Sequence, residues 1–382
     1  MKKLVIIHHV ANVGGGTISL VDMCKMLCST YEVVVLIPNR NPEALTEMLS
    51  QYATVKYYSG VMPQIAYYSG SNTISFGFLK TLLGKKKDIA ELVDLITKEN
   101  PDILLANSIV QCVMGKHLKN IPAKKFIYIR ETFKETKISD YIIDLINQYF
   151  DGVFCISPYE KEYAKFKIPC EVVADCFVPY KKNTSSFDLN PNKFNVLFMG
   201  GISEIKGLSV LLDSVAYTKS ENVNYVICGN LSYIGNSFKN RILHGSLVKR
   251  DERMKAIIEG NPEKMKLMGF VSDTESLIRQ CDVMVFPSTV PHQARPAIEA
   301  GFSHKPVIMS GFKQTECFYQ HNYNCLTFKP NDPVDLAKQI DALASDEALA
   351  KRIGETNYQT CQEQHNFELE QKKMLDFLSK HT

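Results

Sequence analysis

The chain has 382 residues, of which 45% are hydrophobic and 22% charged, with a net charge of +3. That length allows two domains with a core each, and the composition excludes a disordered chain. The charge is too small to argue for nucleic acid as a partner. Eleven scattered cysteines without a CxxC pair read as reduced, buried thiols of a cytoplasmic protein rather than a disulfide framework or zinc ribbon.

The N-terminal MKKLVIIHHV has an apolar run too short for a signal peptide, and no stretch is long enough to span a membrane. A strand at Leu4–Ile7 is followed by Gly14-Gly15-Gly16 and a helix from Thr17 to Thr30, with Leu20, Val21, Cys24, Leu27 and Cys28 on one face. Glycines before a helix let a ligand approach the backbone, and the helix N-terminus favours an anion; a tight turn without a ligand is the other reading. A dinucleotide fingerprint would need glycine at Ser19 and an acid where Pro38-Asn39 stand, so nicotinamide and flavin are disfavoured.

Further strands are expected at Glu32–Ile37, Val55–Tyr58, Ile103–Ala106, Phe126–Ile129 and Gly152–Ile156. Such short apolar runs suit parallel strands covered on both faces. Between them Phe76–Leu92 joins apolar residues to Lys85-Lys86-Lys87. Such a segment can hold a helix at an anionic membrane surface, or simply pack as an amphipathic helix. Arg130-Glu131 follow a strand directly: Arg130 could bind an anion and Glu131 accept a proton, or the two could form a surface ion pair.

The polar segment 180–193, YKKNTSSFDLNPNK, reads as a linker. After it the pattern restarts with a strand at Asn195–Met199, a Gly200-Gly201 turn, and a helix carrying Val210, Leu211, Leu212 and Val215. Strands at Asn224–Cys228, Met265–Met268, Val283–Phe286, Val307–Met309 and Cys325–Phe328 follow. The expected division is residues 1–179, the linker, residues 194–360, and a helix over 361–382 that packs back toward the first domain. Each half opens strand, glycine turn, helix. The fold class is therefore α/β, with two doubly wound, Rossmann-like domains whose crevices face across one cleft.

Two features of the second half carry chemistry. Lys206, just before a helix, can offer its ammonium to a diphosphate as a compact point charge, or be an ordinary solvated lysine. In DVMVFPSTVPHQARPAIEAGFSHKPVIMSGFKQTE, 282–316, a buried strand leads through Pro287-Ser288 to a helix entered at Pro296. Glu299 then sits about one turn inside, leaning back toward free N–H groups. Those N–H groups suit a phosphate, and the carboxylate suits sugar or ribose hydroxyls.

Taken in order, these landmarks resemble the retaining GT-B glycosyltransferases, in particular family 4, glycosyl transferases group 1. The likeness is strongest from Phe194 to Pro333 and runs through Lys206-Gly207, Cys228-Gly229-Asn230, Gly269-Phe270-Val271 with Asp273, Phe286-Pro287-Ser288, Pro296 to Ala300 and Asn331-Asp332-Pro333. In the first half the glycine turn and Ile156-Ser157 share it. The resemblance implies a sugar donor held by Gly14, Gly15, Gly16, Thr17, Gly201, Lys206, Asn230, Gly269, Val271 and Glu299. Lys206 would neutralise the diphosphate, Gly269–Val271 would hold the base, and Glu299 would take the ribose hydroxyls. It implies transfer from a UDP- or GDP-sugar to a glycan or lipid-linked acceptor bound by the first domain, with retention, without a metal or other cofactor, in surface polysaccharide assembly. Lys206, Glu299, Arg130 and Glu131 are the candidates for catalysis.

This sequence departs from the family at two points. Pro291 stands where the family commonly has a first glutamate that touches the donor sugar, and Gly201 stands where it often has an arginine. His292, Gln293 or Arg295 could take over those contacts. The departures also suit a non-catalytic nucleotide-sugar-binding subunit of an active transferase. An epimerase on the same fold would need more cleft carboxylates than Glu299 and Glu131.

Overall fold

The computed structural model describes residues 1–71, 85–178, 185–233 and 237–382. They form two compact units, Met1–Val178 with His365–Thr382, and Pro179–Gln364.

The first unit alternates β1 (Lys3–Ile7), α1 (Gly15–Leu27), β2 (Glu32–Pro38), α2 (Glu43–Leu49), β3 (Thr54–Tyr58), α3 (Lys86–Glu99), β4 (Ile103–Ala106), α4 (Gly115–Leu118), β5 (Lys124–Ile129), α5 (Lys137–Tyr149), β6 (Gly152–Cys155), α6 (Pro158–Ala164) and β7 (Cys170–Val172). Its seven strands lie in the order β3-β2-β1-β4-β5-β6-β7, each pair parallel. Leu4 pairs with Val33 on one side and Ile103 on the other. Strand order reverses between β1 and β4, and such a reversal opens a crevice at the C-terminal strand ends.

The second unit runs β8 (Phe194–Met199), α7 (Leu208–Ser214), β9 (Val223–Cys228), α8 (Phe238–Glu259), β10 (Met265–Gly269), α9 (Thr274–Gln280), β11 (Val283–Phe286), α10 (Arg295–Phe302), β12 (Val307–Ser310), β13 (Leu326–Phe328), α11 (Pro333–Ser345) and α12 (Glu347–Gln364). Its six parallel strands are ordered β10-β9-β8-β11-β12-β13, so the reversal falls between β8 and β11. The chain ends with α13 (Phe367–His381), which belongs to the first unit. There Phe377 lies edge-on to Phe154 at 5.0 Å and to Phe126 at 6.0 Å, in one core with Met374 and Leu378. Burying each such side chain contributes about 1.5–3 kcal/mol.

Every strand read from the sequence is present within two residues of its expected ends. The edge strand β7 was not foreseen: three half-buried residues leave too little pattern to read. Helix α1 starts at Gly15 rather than Thr17, inside the glycine run, and α10 starts at Arg295, one residue before Pro296. The described part of the expected linker is fastened to the second unit. Phe187 donates its N–H to Gln280 Oε1 at 2.9 Å, and Lys266 pairs with Asp188 at 2.8 Å. The single helix expected over 361–382 is instead the end of α12 and then α13, broken where Asn366 caps α13 by accepting the Leu369 N–H at 3.1 Å. Of the segment Phe76–Leu92, residues 76–84 lie outside the described residues. The rest enters α3, which buries Ile89 and Leu92 and leaves Lys86 and Lys87 exposed. Among the described residues no helix is long and apolar enough to cross a membrane.

Candidate functional site

In the second unit three glycines let the loops after β8, β9 and β11 converge. Gly201 has φ +60°, and a Cβ there would lie 2.8 Å from the Asn230 carbonyl oxygen. Gly229, at φ +127°, packs its backbone against Gly201. Gly207 has φ +75°, and a Cβ would fall 1.7 Å from the Pro287 carbonyl oxygen. No side chain fits at Gly201, which is why an arginine could not stand there without moving the Asn230 loop.

This convergence sets Lys206 at the end of a one-turn 3₁₀ segment, Glu204–Lys206. Its Nζ lies 2.5 Å from His292 Nε2 and 5.2 Å from the centre of the Phe286 ring. The His292 ring stacks on the same Phe286, centroids 5.9 Å apart and planes at 16°. Burial pulls the Lys206 amine down to about 8. Burial, with the lysine's charge beside it, pulls His292 down to about 3. The imidazole is therefore neutral, and its Nε2 accepts a hydrogen from the lysine.

Helix α10 begins beside this pair. Arg295 Nε donates to Glu299 Oε1 at 3.0 Å, one turn apart, with both side chains nearly buried. Paired this way, neither leaves an uncompensated charge. Gln293, between His292 and the helix, has a buried Nε2 without a partner. Ser310 Oγ donates to the Ser288 carbonyl at 2.7 Å and ties the loop to β12. Gly269, at φ +63°, closes β10 with its carbonyl accepting the Gly229 N–H at 2.7 Å. Phe270 is exposed and Val271 half-buried beyond it. Asn230 is exposed, its Oδ1 accepting from Ser232 Oγ at 2.6 Å. Every candidate of this unit thus stands at the C-terminal ends of β8–β11.

The first unit has a glycine turn in the same place but different chemistry. Gly14, Gly15 and Gly16 are exposed with open space where a Cβ would stand, and Gly15 and Gly16 carry first-turn N–H groups of α1. The Thr17 hydroxyl is turned inward, accepting the Gly14 N–H at 2.7 Å. Arg130 and Glu131 do not form the surface ion pair their adjacency suggests. Arg130 donates to Asp175 Oδ1 at 2.8 Å and, through Nε, to Asn107 Oδ1 at 2.7 Å, with its guanidinium 4.1 Å over the Tyr128 ring. Glu131 caps the turn after β4: it accepts from the Ser108 hydroxyl and from the N–H groups of Ile109 at 2.9 Å and Arg130 at 3.2 Å. Burial raises its carboxyl, and those hydrogen bonds oppose the shift.

His8 and Asn107 were not among the residues singled out in the sequence. Because Asn107 Oδ1 takes the Arg130 hydrogen, its Nδ2 must face His8 Nδ1, 3.1 Å away, and donate to it. His8 is buried and held neutral well below the usual range, so its proton sits on Nε2, where it has no partner. The pointer was available: His8-His9 and Asn107-Ser108 end the two strands flanking the reversal. A cavity of about 10 Å³ beside Ser19, Arg130 and Asp175 has room for roughly one water. Glu160, deeper in this unit, accepts from the Ser157 hydroxyl and is raised to about 7 by burial. Among the described residues no group of three His, Cys, Asp or Glu side chains is placed to hold a metal ion.

The fold is the GT-B one, two Rossmann-like parallel-sheet units in a single chain, as its structural neighbours show. Residues 180–360 match the family model of Glycosyl transferases group 1. An uncharacterized glycosyltransferase of Methanocaldococcus jannaschii is 26% identical over 208 residues, 54% of this chain and 53% of that protein. The chain thus spans about half the length of that curated relative. Among solved structures, HepE of Anabaena in complex with UDP-glucose superposes with TM-score 0.75 at 17% identity, covering 100% of both chains. Sucrose-phosphate synthase of Thermosynechococcus elongatus gives 0.74 at 16% identity, covering 100% of this chain and 99% of that one.

Proposed function

We propose that this protein is a cytoplasmic glycosyltransferase that moves a sugar from a UDP- or GDP-sugar to a glycan or lipid-linked acceptor, with retention and without a metal. Lys206 carries the reading: a half-buried ammonium at the strand reversal of the unit that matches the family. A leaving nucleoside diphosphate gathers negative charge as the glycosidic bond breaks, and a fixed cation in a partly dry site stabilises that charge more than the ground state. Glu299, steadied by Arg295, takes the ribose hydroxyls; the loop Gly269–Val271 takes the base through its main chain. The first unit binds the acceptor. By analogy with related enzymes the product belongs to a surface polysaccharide.

Pro291 favours a second reading, a subunit that binds a nucleotide sugar without turning it over. A panel of nucleotide sugars, scored for thermal stabilisation and slow hydrolysis beside Lys206→Ala and Glu299→Ala, separates the two. Stabilisation with turnover by one sugar donor, lost in both variants, supports the transferase. Stabilisation without turnover across a panel of acceptors supports the subunit, and no response to any donor removes both.

A further inference from the structure

We propose that this site takes up a proton together with its nucleotide sugar, because in the resting protein Lys206 and His292 hold at most one charge between them and meet no counter-charge among the described residues. The inference rests on the function proposed above and concerns the same diphosphate.

An ammonium and an imidazolium are both pure donors, so nitrogens 2.5 Å apart can share a hydrogen only if one offers a lone pair. The pair therefore holds at most one charge. Both groups rest on the apolar Phe286 ring, which returns little of the hydration they have lost. Among the described residues no carboxylate pairs with Lys206: Glu204, two residues away in sequence, is exposed and lies 3.9 Å from Arg250, and Glu299 accepts from Arg295. The amine's fall to about 8 and the imidazole's to about 3 agree with that arrangement.

A diphosphate entering here replaces the missing counter-charge. Its oxygens accept from Lys206 Nζ, restoring the ammonium's ordinary preference for its proton. Above pH 8 most resting molecules lack that proton, so binding must draw it from the buffer onto Nζ. No bond of the nucleotide sugar breaks in this step. With the lysine at about 8, uptake should be roughly three-quarters of a proton at pH 8.5 and about a tenth at pH 7, with affinity about fourfold weaker at the higher pH.

The test is calorimetric titration of UDP-glucose and GDP-mannose, whose diphosphates do not titrate in this range, at pH 7 and 8.5 in buffers of different ionisation heat. Wild type should show the uptake at pH 8.5. Lys206→Arg, whose guanidinium stays charged, should still bind and show none. Binding without uptake at pH 8.5 overturns the coupling and leaves the proposed function standing; uptake that persists in Lys206→Arg overturns it as well. Nitrogen-15 spectra should find His292 neutral at pH 6, and a charged His292 there would contradict the single-charge pair. Failure of both nucleotide sugars to bind at either pH removes the underlying reading instead.

Discussion

The two units open with the same grammar, strand, glycine turn and helix, and both reverse strand order beside that first strand, yet they treat a cation in opposite ways. In the first unit Arg130 is consumed: Asp175, Asn107 and the Tyr128 ring take up its guanidinium. In the second, Lys206 meets a neutral histidine and a ring face, with no carboxylate paired to it among the described residues. One charge is tied into the fold, and the other lacks a counter-charge among the described residues. A doubly wound topology supplies a crevice, but whether it recognises an anion depends on which charges were left unpaid.

The largest effect is expected at Arg130. Arg130→Ala would leave the half-buried Asp175 without its partner and should cost about 3 kcal/mol in urea unfolding, the lower end for breaking a buried pair. A loss under 1 kcal/mol would mean the network is incidental. Lys206→Ala should leave stability within about 1 kcal/mol while lowering kcat/KM by about 10²–10³-fold, the range for removing one fixed group that stabilises developing charge. Equal damage to folding would make Lys206 structural too.

Glu160 sharpens the contrast through pH. Its folded-state value, about 7, lies above the ordinary 4.5, so the folded state keeps a proton the unfolded chain gives up. Its own contribution to stability should therefore fall as pH rises between those values, and be flat outside them, by at most about 3 kcal/mol, against the opposite trend from histidines held neutral such as His8 and His292. Glu160→Gln should remove that decline in thermal melts from pH 4 to 8; an unchanged profile would place the carboxylate in water. The smallest effect is a tautomer. Asn107→Asp would accept a hydrogen from His8 Nδ1, so nitrogen-15 spectra should show the His8 proton moving off Nε2, with little change in stability.

How much was legible follows from the physics of each feature. The paired sheets were readable because buried parallel strands are apolar runs, and β4 (ILLA) or β11 (VMVF) can be little else. The three residues of β7 have no such pattern. Lys206 and Glu299 can be singled out as candidates because local spacing before and inside a helix marks them. Their partners were only half legible: Arg295 lies one helical turn from Glu299, but the pairings Lys206–His292 and Arg130–Asp175 join residues far apart in sequence. Local spacing is silent about such contacts. Gly201 was read as a missing arginine; its +60° φ and the Asn230 carbonyl beside it show a position where backbone packing excludes any side chain.

The most direct measurement is the affinity of a UDP- or GDP-sugar for wild type, Lys206→Ala and Asn107→Ala, titrated side by side at pH 7. If the second unit's reversal holds the anion, Lys206→Ala weakens binding at least about tenfold, the worth of one charge-assisted hydrogen bond, and Asn107→Ala leaves it within about threefold. The opposite ranking, with Lys206→Ala binding like wild type, would contradict the account.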